Sequence, residues 1–221
     1  VDARIRRSID RYAEDIHLRF EDQRRLNGYA SISDKNGDGS FDYFLRFDFQ
    51  TWPRLFPLVY DVGHGMKPYT ANNHMFPNGK LCLEVDVRQR YLIKIGEISS
   101  LYDFHEYILL PYLAKQFDFQ NGNRKAFHGA EWAHGARGLL DAYASIANVS
   151  RDASFAIVSF YRNHRKHTLV PEELPKGHCS CGSGLTYKLC LSIHRKLCKM
   201  AGLEQLNKDA SYLYSMATNS T

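Results

Sequence analysis

Ile5, Ile9, Tyr12, Ile16 and Phe20 recur at helical spacing with Arg, Asp and Glu between them. That period predicts one amphipathic helix, closed by Asn27-Gly28. Alternation then replaces the helical period: Tyr29–Ser33 and Phe41–Phe49 switch between apolar and polar residues and predict two strands. The segment between them, Asp34-Lys35-Asn36-Gly37-Asp38-Gly39, places oxygen-bearing side chains and a glycine as a calcium loop does. Such a loop ends on a bidentate glutamate at its twelfth position, and here that position is Leu45. Asn-Gly and Asp-Gly are strong turn formers on their own, so a hairpin is the expectation.

Further along, Trp52-Pro53 and Phe56-Pro57 interrupt the alternation, which resumes as a strand at Leu58–Val62. Ser99-Ser100 opens a helix whose apolar face is Leu101, Phe104, Ile108, Tyr112 and Leu113, with Pro111 expected to kink or end it. Residues 120–129 are polar and glycine-containing and read as a loop. Leu139, Leu140 and Tyr143 fit a short helix, and the apolar run Phe155–Tyr161 suits helix or strand equally. Prolines and charges make 163–176 a linker.

The stretch with the richest chemistry is Asn73-His74-Met75-Phe76-Pro77-Asn78-Gly79-Lys80-Leu81-Cys82-Leu83. Pro fixes φ and Gly accepts positive φ, so Pro-Asn-Gly predicts a tight reversal with Cys82 just beyond it. Leu81 and Leu83 are placed to anchor the backbone on either side. A thiol beside a proton donor and backbone amides is what acyl transfer through a thioester requires. His74 is the candidate donor, with Asn73 and Asn78 behind it, and an inert cysteine with a loop-ordering histidine is the alternative. His64, His105 and His134 have weaker claims.

The 221 residues can hold one generous domain, or one domain with a small appendix. A hydrophobic share of 44% with 24% charged is ordinary for a globular protein, and no apolar run or leader suggests a membrane. The net charge of +5 is unevenly placed: residues 160–200 carry eight Lys/Arg against Glu172 and Glu173. The rest of the chain is therefore close to neutral, and the basic tail suits an acidic partner or, less favoured, nucleic acid.

Five cysteines, four of them within 179–198, point to metal ligands plus one lone thiol in a reducing compartment, hence the cytoplasm, and not to disulfides. Cys179-Ser180-Cys181-Gly182-Ser183-Gly184 reads as a metal knuckle, small residues letting backbone amides point at thiolates. Cys190 is the third ligand. His194, one helical turn beyond Cys190, is the expected fourth, with His178 and Cys198 as alternatives. Four protein ligands make such a site structural, and zinc is the expected metal.

Two resemblances follow from these motifs. Trp52-Pro53, Phe56-Pro57 and Gly79-Lys80-Leu81-Cys82-Leu83, in that order between a lead helix and a helix ending near Leu109-Leu110-Pro111, resemble the ubiquitin-conjugating enzymes over roughly residues 1–150. His74 stands where that family carries the asparagine of its His-Pro-Asn tripeptide, and the tryptophan after the loop is missing. Both features, with His134-Gly135-x-x-Gly138-Leu139, look more like the bacterial branch found in antiphage conjugation operons. The tail resembles the SEC-C zinc motif, with Leu191 where that motif places its fourth ligand.

The resemblances imply an α+β ubiquitin-conjugating-enzyme-like domain over residues 1–162: N-terminal helix, antiparallel meander, active-site loop and C-terminal helices. A linker at 163–176 and an SEC-C-like zinc tail at 177–221 would complete the chain. They imply that Cys82 takes up a protein's C-terminal carboxyl as a thioester and passes it to an amine, with His74 steadying the oxyanion or the thiolate. The carried protein would be a cyclic-oligonucleotide synthase or a ubiquitin-like protein, supplied with or without a separate activating enzyme. The rival reading is a catalytically silent adaptor that binds a partner or nucleic acid through its basic zinc tail.

Overall fold

The computed structural model describes residues 3–15, 19–20, 25–33, 40–127, 135–162 and 177–218. Within them the chain is α+β. It gathers into two compact units, one of Val1–Glu84 with Leu92–Glu131 and the other of Val85–Tyr91 with Trp132–Thr221.

In the first unit, α1 (Ala3–Asp15) turns Ile9 and Tyr12 into the core and carries an Arg6–Asp10 pair at 3.0 Å, four residues apart, on its outer side. The helix ends well before Asn27-Gly28; Ile16 lies outside the described residues. Phe20 instead belongs to β1 (Arg19–Phe20), opposite Leu26 of β2 (Arg25–Ser33), and Asn27-Gly28 sits inside β2. Strand pairing satisfies the backbone of this stretch and overrides the helical period. β3 (Ser40–Asp48) and β4 (Leu58–Asp61) complete an antiparallel meander in the order β1-β2-β3-β4. Asp34–Gly39, the segment weighed as calcium loop or hairpin turn, lies outside the described residues; Ser33 and Ser40 on either side of it are paired.

β3 alternates as its sequence does: Tyr43, Leu45, Phe47 and Phe49 are buried and the residues between them are not. Phe47 meets Tyr12 of α1 edge to face at 6.1 Å, which seats the helix on the sheet. Trp52 and Phe56 also enter this core, so the Trp-Pro and Phe-Pro steps turn the chain while keeping their aromatic rings inside.

Residues 101–120 form consecutive helical segments: α3 (Leu101–Phe104), a π turn (His105–Leu109) and α4 (Leu110–Gln120). Ser100 caps the start by accepting from the Asp103 N–H at 3.1 Å. Pro111 neither ends nor breaks the run. The Leu110 N–H reaches back five residues to the His105 carbonyl, and the widened turn makes room for the proline ring where an α-helical carbonyl would collide with it. α2 (Asp86–Ile95) is a helix that the mixed pattern of its residues leaves unspecified.

The second unit is helical: α5 (Gly135–Ala147), α6 (Arg151–Ser159) running into a 3₁₀ turn (Phe160–Arg162), α7 (Tyr187–Ala201) and α8 (Leu203–Thr218). Phe155–Tyr161 is therefore helical. Tyr143, Ile146, Ile157, Tyr161, Leu197 and Leu213 share one core, so helices before and after 163–176 pack together. Residues 163–176 themselves, expected as a linker, lie outside the described residues. The Tyr143 hydroxyl donates to Asp209 Oδ2 at 2.6 Å and Gln205 Nε2 to Oδ1 at 2.9 Å, serving both oxygens of a carboxyl whose pKa burial raises. Among the described residues no helix is long and apolar enough to cross a membrane.

Candidate functional site

The Cys82 stretch is a hairpin. The Gly79 N–H donates to the Phe76 carbonyl and the Phe76 N–H to the Lys80 carbonyl, both at 2.9 Å, with Pro77 and Asn78 at the apex. Asn78 Oδ1 also accepts the Lys80 N–H at 3.2 Å. Gly79 has φ +79°, and a Cβ on it would lie 3.1 Å from the Asp61 carbonyl oxygen and 3.3 Å from the Tyr69 ring. Only glycine meets both demands without strain. The far arm of the hairpin joins the edge of the sheet: Asp61 N–H donates to Gly79 O and Leu81 N–H to Val59 O, each at 2.9 Å.

Met75 bridges Leu81, and the Cys82 N–H donates to the His74 carbonyl at 2.8 Å. The two candidate residues are thus cross-strand partners. Cys82 is a half-buried thiol outside any disulfide; Leu81 is buried and Leu83 packs on the core, so the thiol is held between two anchors as its neighbours predict.

His74 adopts the left-handed conformation at φ 51°, at the end of a 3₁₀ turn (Ala71–Asn73). That geometry costs roughly 1–2 kcal/mol for a residue with a Cβ. Its carbonyl is held from two sides, by the Cys82 N–H and by the Tyr112 hydroxyl at 2.9 Å, and its imidazole stacks on Phe127 at 5.0 Å and 23°. Tyr112 and Phe127, which hold the backbone and the ring, are each more than thirty positions away in the chain.

Asn73 has a different role from the one its position suggests. It is buried; both of its amide hydrogens are used, toward the Met66 carbonyl at 3.1 Å and the Pro68 carbonyl at 3.0 Å. Its Oδ1 accepts from the Thr70 N–H and hydroxyl at 3.0 and 2.9 Å, and Gln116 Nε2 donates to its backbone carbonyl. Asn73 is a loop organiser with no proton to offer a reacting carbonyl.

Sequence reasoning also missed a clamp under the hairpin. Buried Asp61 accepts from the Gly65 and Met66 N–H groups at 3.2 and 2.8 Å and from the Tyr69 hydroxyl at 3.2 Å. Burial, then the Asp61 charge, pushes the Tyr69 phenol up to about 12, so it stays protonated as a donor. The available signal was an aspartate on the core-facing period of β4, beside buried Val59. His64 hydrogen-bonds Tyr69 at 2.8 Å, and His105 hydrogen-bonds Tyr12 at 2.9 Å in the core, its pKa lowered by burial despite the opposing pull of Glu106. His134 lies outside the described residues.

In the second unit, Cys179, Cys181, Cys190 and His194 bring their ligand atoms within 4.8 Å of one another and can hold a metal ion. A short hairpin supplies the first two: Tyr187 N–H donates to Gly177 O and Cys179 N–H to Leu185 O, both at 2.9 Å, with Gly182 and Gly184 at positive φ in the reversal. Cys190 and His194, buried and one turn apart on α7, supply the others. Tetrahedral Zn–S bonds of about 2.3 Å place sulfurs roughly 3.8 Å apart. Cys181 and Cys190 sulfurs lie 3.4 Å apart, and the Ser183 hydroxyl is 3.2 Å from the first and 3.4 Å from the second. The donor set, three sulfurs and one imidazole brought together, is one that can hold a metal ion.

Burial raises the Cys181 thiol, yet Ser183 and the neighbouring thiols outweigh it and its pKa is net lowered. Burial, with the Cys181 and Cys179 sulfurs and against a hydrogen bond from Ser183, raises that of Cys190. A bound cation would favour the thiolate form of both. The alternatives for the fourth ligand fall outside the cluster: His178 is exposed and hydrogen-bonds the Gly184 carbonyl through Nδ1, and Cys198 lies against the Tyr161 hydroxyl.

Comparison with protein-family models, curated proteins and solved structures returns no match to this chain.

Proposed function

We propose that this chain is a ubiquitin-conjugating-like acyl transferase in which Cys82 carries a protein C-terminus as a thioester and passes it to a target amine. The carrying observation is the pairing of His74 with Cys82 across a hairpin tied to the sheet edge, with the thiol half-buried between anchored leucines. A lead helix, a four-stranded antiparallel meander, this hairpin and then the 101–120 helical run follow the element order of a ubiquitin-conjugating fold, which supports the reading.

In loading, the Cys82 thiolate attacks the carbonyl of a C-terminus already activated, as adenylate or thioester, by an activating enzyme; the C–S bond forms and the activating group departs. In discharge, an amine attacks that carbonyl, a tetrahedral oxyanion forms, the C–S bond breaks with Cys82 leaving as thiolate, and the amine's surplus proton passes to solvent. His74 is the side chain assigned to steady the oxyanion, with Asn78 behind it; Asn73 has no hydrogen to give. The protein carried is, in this proposal, a cyclic-oligonucleotide synthase or a ubiquitin-like protein of a bacterial antiphage system.

Cys179, Cys181, Cys190 and His194 would hold zinc, and the closed shell of protein ligands makes that ion structural. Mass spectrometry of the protein incubated with the carried protein and its activating enzyme tests the catalytic reading. A thiol-sensitive adduct at Cys82 supports it; a Cys82 that alkylates readily but never carries an adduct sinks it.

One observation favours the adaptor reading. Lys188, Ser192, Arg195 and Lys199 form an exposed stripe along α7, which has no acidic residue. Salt-sensitive binding of an oligonucleotide by a protein inert at Cys82 would select that reading.

A further inference from the structure

We propose that Tyr161 is the positioning residue of the metal site, holding His194 in the one orientation and tautomer that present its Nε2 to the cysteine sulfurs. The inference rests on the metal assignment above and extends it to a residue outside the ligand motif.

An imidazole has two nitrogens and binds a metal through one only when the other carries the proton. Here His194 Nδ1 lies 2.8 Å from the Tyr161 hydroxyl oxygen. That oxygen is also 3.1 Å from Cys198 Sγ and 3.3 Å from the His194 backbone carbonyl. A phenol both accepts and donates, so it takes the Nδ1 proton's hydrogen bond and sends its own hydrogen to Cys198 or to the carbonyl. The remaining nitrogen, Nε2, is buried and is the one left for the metal. Tyr161 is wholly buried, and the rings of Phe160 and Tyr161 flank the imidazole at 5.2 and 5.3 Å, so the ring has little freedom to flip.

Tyr161 sits in the 3₁₀ turn after α6, thirty-three residues before His194, and no spacing rule would link the two. The arrangement also accounts for Cys198: it is the phenol's second partner and stands outside the ligand set. Outer partners of metal-bound histidines set ring orientation and ligand basicity, and losing one lowers metal affinity by about 10–100-fold.

The test is zinc affinity of the full chain, measured by competition with a chromophoric chelator, for wild type, Tyr161→Phe and Cys198→Ala. Tyr161→Phe is expected to weaken zinc by about 10–100-fold at unchanged helical circular dichroism, and Cys198→Ala to shift it by less than about threefold. Equal zinc affinity in Tyr161→Phe and wild type would overturn the proposal. Should Tyr161→Phe fail to fold, long-range ¹H–¹⁵N spectra of zinc-loaded wild type decide: a proton on His194 Nδ1 with Nε2 metallated upholds it, and the reverse overturns it. Wild type that takes up no zinc would remove the metal reading itself and the proposal with it, a result distinct from equal affinities.

Discussion

The Cys82 N–H and the His74 carbonyl are joined at 2.8 Å, so the thiol-bearing residue is fixed by the backbone of the residue expected to assist it. The carbonyl end of that bond is itself held by the Tyr112 hydroxyl at 2.9 Å. Rigid placement of the two residues is what a reaction limited by orientation needs.

Replacing the Cys82 sulfur should abolish a thiol-sensitive adduct, whereas replacing His74 should slow transfer. The substitution must respect φ 51°: His74→Gly accepts that region and removes the donor, whereas His74→Ala adds strain to the loss of the ring. Removing one oxyanion donor costs about 3 kcal/mol of barrier, or about a hundredfold in rate. Single-turnover discharge of the loaded thioester measures it, and a Gly variant discharging at the wild-type rate would strip His74 of its role.

Gly79→Ala should destabilise the first unit by about 1–3 kcal/mol, because the new Cβ meets the Asp61 carbonyl oxygen at 3.1 Å and the backbone has φ +79°. Chemical denaturation reads the loss. Thioester yield should fall with it, as the same hairpin presents Cys82.

Chelation should lower the melting temperature of the second unit, since two ligands come from a hairpin and two from α7, which shares the core with α5 and α6. Cys190→Ser should reduce bound metal from one equivalent toward none, read by elemental analysis after gel filtration. Retention of a full equivalent would place the ion elsewhere.

Acidification should weaken the first unit through His105. Its folded pKa lies below its unfolded value because burial disfavours the charged ring. Above about pH 6.5 both states are neutral and the stability is fully present. As pH falls below that value the unfolded chain takes up a proton that the folded one resists, and stability declines. Thermal melts from pH 8 to 5 should show the decline, and His105→Gln should flatten it.

Much of this was legible where the signal is local. The alternation of Phe41–Phe49 marks β3, Pro77-Asn78-Gly79 marks the reversal, and the cysteine spacing marks the metal cluster, with only its fourth ligand left among His194, His178 and Cys198. What escaped depends on partners distant in sequence. Asn73 looks like a free donor until Met66 and Pro68 claim its amide, and nothing near His74 announces Phe127 or Tyr112. Phe20 kept the helical period yet pairs as a strand with Leu26, because register with β2 is a tertiary choice.

The wide turn at His105–Leu109 acts as a phase setter for all that comes after it. Five residues there cover what four would in an ordinary helical repeat, and one residue corresponds to about 100° of rotation. Tyr112 and Gln116, which grip the carbonyls of His74 and Asn73, lie after that offset and take their rotational phase from it. Deleting a single residue from the turn would therefore swing both away from the loop while leaving every side chain named here in the protein.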